Sequence, residues 1–385
     1  MQISLKYGKT AVRMQIRQEH LVGVVKPKQS IKRGQDLQAS LAKPIGTEPL
    51  PHVLQLLKRY GIPRDSIRIL IGTGTHRGHT PAERREILGR QGTSIPHVID
   101  HTMEPVQYIG TTKRGTRVSV NPNLLDVDFA LAVGNVDVHY FAGYTGGYKA
   151  VIPGLAGKET IERNHSLMTL PNAEPGVVEL NPVREDFEEA GQLTALRYIV
   201  NVVLDERNRT IAAFSGDPIA AQRRAIRAVD DFVKVPIKER ADIVLASAGG
   251  YPRDINLYQA HKAIENASHA VKNGGTVIVL AECGEGFGNT TFEDWMVNAS
   301  NLDEIGRKLS DRFILGAHKA YALSKIAKRA QIYLVSDKMR EASSILFKGF
   351  KSSQDALEDA WSSHGKDASI LLMPYAMSTL PSRSS

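Results

Sequence analysis

The sequence is poor in cysteine and has no long apolar run. Cys283 is the one cysteine among 385 residues, so neither an internal disulfide bond nor a CxxC metal site can form. No apolar stretch approaches the roughly 18 residues that a membrane-spanning helix needs. The opening MQISLKYGKTAV also lacks the charged and apolar segments of a secretory signal. We therefore expect a cytoplasmic protein that does not bind membranes.

The sequence also lacks the usual nucleic-acid-binding motifs, although it is basic. Its net charge is +8 and its pI is about 9.4. Lys and Arg are scattered, with the longest basic clusters near Arg33, Arg207 and Arg223, and no C2H2 spacing, basic zipper or RNP1 string occurs. We interpret the charge as a solvated basic surface that attracts small anions. A nucleic-acid-associated α/β protein is the alternative, and it rests on net charge alone.

Two glycine-rich stretches do not match the nucleotide-binding motifs that they suggest at first sight. In GYTGGYKA a tyrosine separates the last glycine from Lys149, and Ala150 stands where a P-loop has its magnesium-binding hydroxyl. In GTGTHRG, Arg77 occupies the position of the third glycine of the dinucleotide-binding fingerprint. Neither a P-loop nor a Rossmann dinucleotide site is therefore predicted.

The apolar pattern predicts an α/β protein. Runs of aliphatic and β-branched residues typical of buried parallel strands lie at 66–72, 128–134, 196–205, 241–250, 274–282, 330–337 and 368–374. Amphipathic stretches typical of helices lie at 81–90, 217–232, 256–272, 301–311, 317–329 and 353–362. The pattern predicts mostly parallel sheets flanked by helices. Because the length exceeds that of one hydrophobic core, we expect two domains, with a boundary near residue 236.

Two chemically rich segments follow predicted strands, at the edge where parallel sheets bind ligands. GTGTHRGHT places His76 after a glycine turn, and VDVHYFAGYTGGYKAVIPGLAGKETIERNH contains His139, Lys149 and His165. A histidine after a strand is often only a surface or capping residue, and glycine pairs often only turn the chain. A metal site shared by His139 and His165 would suit nickel, zinc or copper, but it depends on tertiary structure.

A third segment of this kind, SAGGYPRDINLYQAHK, follows the strand predicted at 241–250. After a glycine pair it opens a helix that carries Tyr258, Gln259 and Lys262. Tyr258 and Lys262 are four positions apart, so they share one helix face. Three strand ends with glycine plus His, Lys or Arg favour a functional site over three independent turns.

Four stretches together resemble the nickel-dependent lactate racemase family. They are IGTGTHR, HYFAGYTGGYKAVIPGLAGKETIERNH, GGYPRDINLYQAHK and CGEGFGN. The likeness extends over roughly residues 1 to 375. It implies two α/β domains with the active site in the interdomain cleft. We then expect an N-terminal cofactor-binding and catalytic domain at 1–236, a C-terminal domain at 237–366, and a tail at 367–385 that returns to the N-terminal domain.

The resemblance implies a nickel-pincer nucleotide as cofactor. This group is a pyridinium mononucleotide with two thiocarbonyl-type arms, whose nickel is held by sulfur, carbon, sulfur and one histidine. By motif position Lys149 would hold one arm covalently, His165 would bind nickel, and Thr47 would contact the cofactor. Cofactor biosynthesis proteins are therefore expected partners.

The resemblance also implies a reaction, the racemisation or epimerisation of a lactate-like α-hydroxy acid by reversible transfer of the C2 hydride. His76 and His139 would serve as acid and base, a role that suits imidazole because its pKa lies near neutrality. Gln259, Lys262 and Tyr258 would bind the substrate, with the lysine charge on its carboxylate. Neither the hydroxy acid nor the oligomeric state follows from the sequence.

One segment departs from the family pattern. The family usually has a strand that ends in Asp-x-Thr-Arg-Pro, whereas LAKPIGTEPLPHVLQLL keeps only Thr47 and the prolines after it. Ile45 takes the aspartate position and Glu48 the arginine position, and about twenty residues, including that strand, are missing near 45–51. Arg77 or Arg253 could replace the lost arginine. The alternative function is a cofactor-binding or degenerate homologue that does not turn over.

Overall fold

The structure, a computed structural model, describes residues 1–27, 49–205, 209–339, 344–365 and 367–383. The chain divides into two compact units. We call Met1–Ser30 with Asp231–Ser385 the outer unit, because it contains both chain ends, and Ile31–Asp230 the inner unit.

The secondary structure of the described residues is mixed α and β throughout. The strands are β1 (Gln2–Tyr7), β2 (Thr10–Gln15), β3 (Leu21–Val24), β4 (Arg68–Ile71), β5 (His97–Asp100), β6 (Gln107–Thr111), β7 (Arg117–Val120), β8 (Ala130–Asn135), β9 (Val138–His139), β10 (Gly143–Tyr144), β11 (Leu196–Leu204), β12 (Thr210–Gly216), β13 (Lys234–Ile237), β14 (Ala241–Ser247), β15 (Val271–Leu280), β16 (Gln331–Val335), β17 (Lys348–Phe350), β18 (Ile370–Met373) and β19 (Leu380–Arg383). The α-helices are α1 (Pro49–Arg59), α2 (Pro81–Gly92), α3 (Lys158–Ser166), α4 (Pro182–Gln192), α5 (Pro218–Val233), α6 (Leu257–Ser268), α7 (Thr290–Val297), α8 (Leu302–Asp311), α9 (Ala317–Ala327) and α10 (Ser353–His364).

The outer unit is built on a six-stranded parallel sheet in the order β17-β16-β15-β14-β18-β3. Successive side chains of β14 enter different cores. Val244 and Ala246 pack with helices α6, α7 and α9, whereas Ile243 and Leu245 pack with α10 and the β1–β2 hairpin. Both faces of the sheet are therefore covered, which explains why these strands are apolar without alternation.

The start of the chain belongs to the outer unit. Strand β3 pairs in parallel with β18, and the β1–β2 hairpin adds Ile3, Leu5 and Tyr7 to one core. This grouping differs from the division expected from the sequence, which placed the first residues in the N-terminal domain and returned the tail at 367–385 to it. Backbone pairing of β18 with β14 and β3 instead holds both segments in the outer unit.

The inner unit has smaller sheets. Strand β11 pairs in parallel with β8 and antiparallel with β12, while β4 and β5 form a parallel pair. Two antiparallel hairpins, β6–β7 and β9–β10, complete the strands of its described part. The residues of β8 are mostly half-buried, in contrast to the buried β14. This strand was predicted to be buried, so the apolar run indicated the strand correctly but overestimated its burial.

The predicted fold class is confirmed, since mostly parallel strands alternate with helices. All seven predicted strands and all six predicted helices are present, within a few residues of their expected bounds. Among the described residues, no helix combines the length and the apolar character needed to cross a membrane.

Candidate active site

The segment that carries His139 and Lys149 is a tight hairpin followed by a short 3-10 turn. Strands β9 and β10 pair through His139 and Gly143, and the turn Gly147–Ala150 presents Lys149. Gly143, Gly146 and Gly147 have φ values of 72°, 81° and 59°. Only glycine adopts such angles without strain, so these glycines are required by the backbone conformation.

A buried guanidinium holds this hairpin. Arg184 on α4 has no exposed surface, and its Nη2 donates to the carbonyl oxygens of Ala142 (3.0 Å) and Tyr144 (2.7 Å). Its Nη1 donates to Gln222 Oε1 (2.8 Å) and Glu188 Oε1 (3.0 Å). Its Nε also donates to the Ala142 carbonyl oxygen (3.2 Å), so all three guanidinium nitrogens have acceptors. These hydrogen bonds replace the water that the buried charge has lost.

Amide side chains hold the glycine turn from the other side. Gln222 Nε2 donates to the carbonyl oxygens of Thr145 (2.7 Å) and Gly146 (3.0 Å), and the Gly147 N–H donates to Asn201 Oδ1 (2.9 Å). These bonds come from α5 and β11, so elements distant in sequence fix the same turn. The backbone that precedes Lys149 is therefore held firmly in place.

Lys149 is half-buried, and its amine is easier to deprotonate than an ordinary lysine. Burial lowers the pKa of its ammonium to about 8, and the positive charge of Arg184 acts in the same direction. A larger neutral fraction at physiological pH makes the amine a better nucleophile.

His165 lies in the last turn of α3 and is only 7% exposed. Its Nδ1 lies 3.1 Å from Asn164 Oδ1, and its ring contacts Phe141 edge-on at 5.0 Å between ring centroids. Because an amide oxygen only accepts, this contact favours a neutral ring with its proton on Nδ1 and its lone pair on Nε2, the arrangement that a metal ligand requires.

His139 is close to the same phenylalanine. Its ring contacts Phe141 at 4.6 Å and stacks on Tyr140 at 5.0 Å between centroids. The Ala142 N–H donates to His139 Nδ1 (3.3 Å). The neutral ring therefore carries its proton on Nε2, the nitrogen that can exchange a hydrogen bond with a substrate oxygen.

The loop that carries His76 is tied to the segment that follows Lys149. The Gly74 N–H donates to the Gly154 carbonyl oxygen (3.1 Å), and the Gly154 N–H donates to that of Lys149 (3.4 Å). His76 itself is exposed, with its N–H bonded to the Thr73 carbonyl oxygen. Backbone hydrogen bonds within the inner unit thus join the loop that carries His76 to the segment that follows Lys149.

Two neighbours of His76 have structural partners. Arg77 forms a two-bond ion pair with Glu83 in the first turn of α2, with its side chain 68% exposed. His79 Nδ1 lies 3.2 Å from Asp100, a carboxylate that also accepts from Arg84. The ion pair with Glu83 therefore disfavours Arg77 for the role of the missing family arginine.

The third predicted segment lies in the outer unit, after the carboxyl end of β14. The strand order reverses there, because β15 lies on one side of β14 and β18 on the other, and such switch points are preferred ligand sites. Tyr258 and Lys262 on α6 are half-buried and Gln259 is exposed. Burial raises the pKa of Tyr258 to about 12, so it is a hydrogen-bond donor at neutral pH.

The CGEGFGN stretch supports the start of α6. The N–H groups of Leu257 and Tyr258 donate to the carbonyl oxygens of Gly286 (2.9 Å) and Phe287 (3.1 Å). Cys283 is buried, and burial raises the pKa of its thiol. The cysteine therefore has a packing role and is a poor nucleophile.

Sequence reasoning missed several buried polar residues. Arg184 falls on the buried face of α4 with Phe187 and Gly191, and a charged residue at this helical spacing was the signal that could have found it. Lys319 on α9 donates to the Tyr258 carbonyl oxygen (2.7 Å) and lies 3.4 Å from that ring's centroid. Burial lowers the pKa of Lys319 to about 7.

Other expectations concern residues 28–48. Thr47, Ile45 and Glu48 lie outside the described residues. Within the described ranges, no group of three or more His, Cys, Asp or Glu residues is arranged to hold a metal ion.

Two family descriptions match the sequence. The lactate racemase N-terminal domain matches residues 47–176, and the lactate racemase C-terminal domain matches residues 237–380. The two ranges together cover well over half of the chain.

Two lactate racemases are similar to this chain over nearly their full length. The protein from Thermoanaerobacterium thermosaccharolyticum is 27% identical over 420 residues, covering 98% of both chains. That from Lactiplantibacillus plantarum is 28% identical over 423 residues, covering 98% of this chain and 99% of the relative.

Solved structures agree with this similarity. The lactate racemase apoprotein from Thermoanaerobacterium thermosaccharolyticum superposes with a TM-score of 0.87 at 27% identity, covering 99% of this chain and 100% of the other. A protein from Thermotoga maritima shares the fold, with a TM-score of 0.67 at 18% identity over 87% of this chain and 89% of the other.

Proposed function

The chain belongs to the lactate racemase family, and from this premise we propose that it is an isomerase that racemises or epimerises a lactate-like α-hydroxy acid. One observation carries the proposal beyond family membership. Lys149, with its lowered pKa, and His165, whose Nδ1 lies 3.1 Å from the Asn164 amide oxygen, both belong to the inner unit, where Arg184 and Phe141 contact their surroundings.

The residues present fit a nickel-pincer nucleotide. Lys149 would hold an arm of the cofactor through its amine, and the glycines beside it allow the backbone turn that presents this lysine. His165 would bind nickel through Nε2, and the cofactor would have to supply the other ligands, since the described residues contain no three-residue metal group. When bound, the cofactor supplies an acceptor for the substrate's C2 hydride.

The histidines transfer the proton that the substrate hydroxyl loses when the C2 hydride leaves. Nε2 of His139 carries the proton in this geometry, so it can hold the oxygen of the oxidised substrate by hydrogen bonding. To accept the hydroxyl proton instead, Nε2 must be unprotonated, and the Ala142 N–H contact at Nδ1 opposes that tautomer. We propose His76 as the second acid or base, on an exposed loop that can adjust to the substrate.

Substrate binding is assigned to the helix that follows β14. Lys262 would place a positive charge on the substrate carboxylate, and Tyr258 and Gln259 would donate hydrogen bonds. Positive charge matters here because an α-hydroxy carboxylate is an anion at neutral pH. Dedicated cofactor biosynthesis proteins are the partners that this scheme requires.

The proposal can be tested by measuring nickel content and intact mass after coexpression with the cofactor-making enzymes. We expect wild type and Lys158→Ala to contain nickel and a mass increase that matches the nucleotide, and Lys149→Ala to lack the covalent adduct. Lys158 is a suitable control because its side chain is 65% exposed on α3. Chiral chromatography should then show interconversion of D- and L-lactate or of a related hydroxy acid.

Two outcomes would overturn parts of this proposal. Adduct and nickel without racemisation of any tested hydroxy acid would favour a cofactor-binding homologue without turnover, as the altered segment near Thr47 suggests. Absence of both, under conditions that load an intact relative, would refute the cofactor assignment itself.

A further inference from the structure

A fully buried carboxylate lies behind the proposed nickel ligand. Asp186 on α4 has no exposed surface. Its Oδ1 accepts from the Thr112 hydroxyl (2.5 Å), and its Oδ2 accepts from the Thr116 hydroxyl (2.9 Å) and from Asn164 Nδ2 (2.8 Å). None of the described residues forms an ion pair with it, so three uncharged donors compensate a buried negative charge. Burying a carboxylate is costly unless hydrogen bonds satisfy it, so these three donors are needed where Asp186 lies.

The carboxylate fixes the orientation of Asn164. The Asn164 amide nitrogen donates to Asp186 Oδ2 and to the Val183 carbonyl oxygen (3.0 Å), and both of these groups only accept. A flipped amide would place its oxygen against two other oxygens. The Asn164 oxygen must therefore face His165 Nδ1, at 3.1 Å.

The orientation of Asn164 decides which nitrogen of His165 carries the proton. With an oxygen that only accepts at 3.1 Å, the neutral ring is the Nδ1–H tautomer, and Nε2 holds the lone pair. Without this acceptor we expect the ring to populate both tautomers. Hydrogen bonds of this kind orient metal-binding histidines and make them more basic ligands.

We propose that Asn164 and Asp186 are positioning residues that act in series, with Asp186 orienting Asn164 and Asn164 fixing His165 as an Nε2 ligand. The series links α3 to α4, so the ligand is also anchored to the helix that carries Arg184. This inference rests on the proposed function, because the Nδ1–H tautomer matters only if Nε2 binds nickel.

The tautomer can be measured in the apoprotein without nickel. With ¹⁵N-labelled histidine, a long-range ¹H–¹⁵N correlation spectrum distinguishes protonated from unprotonated ring nitrogens, and the signals missing in His165→Gln identify the residue. We expect a protonated Nδ1 and an unprotonated Nε2 in wild type, and a mixture of tautomers in Asn164→Leu. A protonated Nε2 in the wild-type spectrum would overturn the proposal even if Asn164→Leu did not fold.

Thr160→Val is the matched control on the same helix. Thr160 is 1% exposed, and its hydroxyl donates to the Arg117 carbonyl oxygen (2.7 Å) and accepts from the Ser119 N–H (2.9 Å). Its replacement removes buried hydrogen bonds without touching His165. We expect the wild-type tautomer of His165 in this variant. A changed tautomer would mean that any loss of packing on α3 alters His165, so the result with Asn164→Leu would not support a specific role of Asn164.

Nickel retention separates this inference from the proposed function. In protein coexpressed with the cofactor-making enzymes, we expect Asn164→Leu to keep the mass adduct at Lys149 but to bind nickel about 10- to 100-fold more weakly in a chelator competition. If Asn164→Leu retains nickel as tightly as wild type does, the positioning role is wrong. If wild type carries neither adduct nor nickel, the proposed function fails, whereas the tautomer measurement still decides whether Asn164 fixes His165.

Discussion

At the scale of single residues, the pKa of Lys149 is lowered mainly by burial and further by a charge that it does not pair with. Arg184 donates its hydrogen bonds to backbone carbonyls, Gln222 and Glu188. Burial lowers the pKa of its guanidinium to about 10, so it is still charged at neutral pH. A fixed cation that is fully occupied elsewhere disfavours a second cation nearby, so it adds to the effect of burial in lowering the pKa of Lys149.

We predict that Lys149 of the apoprotein reacts with a small amine-selective ester with a pH midpoint near 8. The lowered pKa shifts the neutral amine to lower pH, so at pH 7 about a tenth is neutral, against about one part in three thousand for an ordinary lysine. Peptide mass spectrometry across pH gives the rate for Lys149, with the exposed Lys158 as internal comparison. A midpoint above pH 10 at Lys149 would contradict the prediction.

The sequence indicates residues that resemble a known motif and misses those that support them. His76, Lys149 and His165 follow from motif position, and their chemical roles remain predictions. Arg184 and Asn164 could not be assigned in this way, because their function depends on carbonyl and carboxylate partners that are distant in sequence. Only the folded chain brings Asp186 and Thr112 together across 74 positions.

At the scale of elements, the β9–β10 hairpin has little tolerance for side chains. Gly143 has a φ of 72° and contacts the segment around Val177, whose backbone lies where a β-carbon would be. The Gly176 N–H also donates to the Gly143 carbonyl oxygen (3.1 Å). Close backbone packing therefore restrains the hairpin that carries His139.

We predict that Gly143→Ala destabilises the protein much more than Gly61→Ala does. Gly61 has a similar φ of 76°, but no atom lies within 4 Å of the position that its β-carbon would take, so it isolates the cost of the backbone angle. That cost is about 1 kcal/mol, whereas the collision at Gly143 should raise the loss to about 3 kcal/mol or more. Urea unfolding followed by circular dichroism provides the comparison. Equal losses would mean that the hairpin moves away from Val177 at little cost.

The elements that the sequence predicted correctly are those with long apolar or amphipathic runs. Strand β14 and helix α6 belong to this group, and tertiary contacts reinforce their local preferences. The β9–β10 pair has only two residues in each strand, too few for any alternation to appear. The antiparallel pairing of β12 with β11 was also missed. The direction of a strand depends on the length of the connection to its neighbour, which the apolar pattern does not reveal.

At the scale of the whole molecule, the relatives carry segments that this chain lacks. The alignment with the Thermoanaerobacterium protein runs over 420 residues, more than the 385 of this chain, although it covers 98% of each. The family match also begins only at residue 47. The missing Asp-x-Thr-Arg-Pro strand near residues 45–51 stays a prediction, and it is the main reason to measure turnover directly.

The grouping of both chain ends in one unit leads to a folding prediction. A fragment of residues 231–383 lacks β3, the edge partner of β18, and lacks the hairpin whose Ile3 and Leu5 pack against one face of the sheet. Its exposed apolar surface should bind a hydrophobic dye and give no cooperative thermal transition.

Joining residues 1–27 to the end of that fragment through a flexible linker should restore a cooperative transition, because it returns the hairpin and β3 to the sheet. A second version with residues 17–27 alone separates the two contributions, since it restores the edge strand but leaves the face around Ile243 and Leu245 uncovered. We expect this version to keep binding dye, because burial of apolar surface by the hairpin outweighs the backbone pairing of one short strand. A cooperative transition in the fragment alone would instead show that the sheet and its helices are sufficient, and that the first residues are an accessory layer.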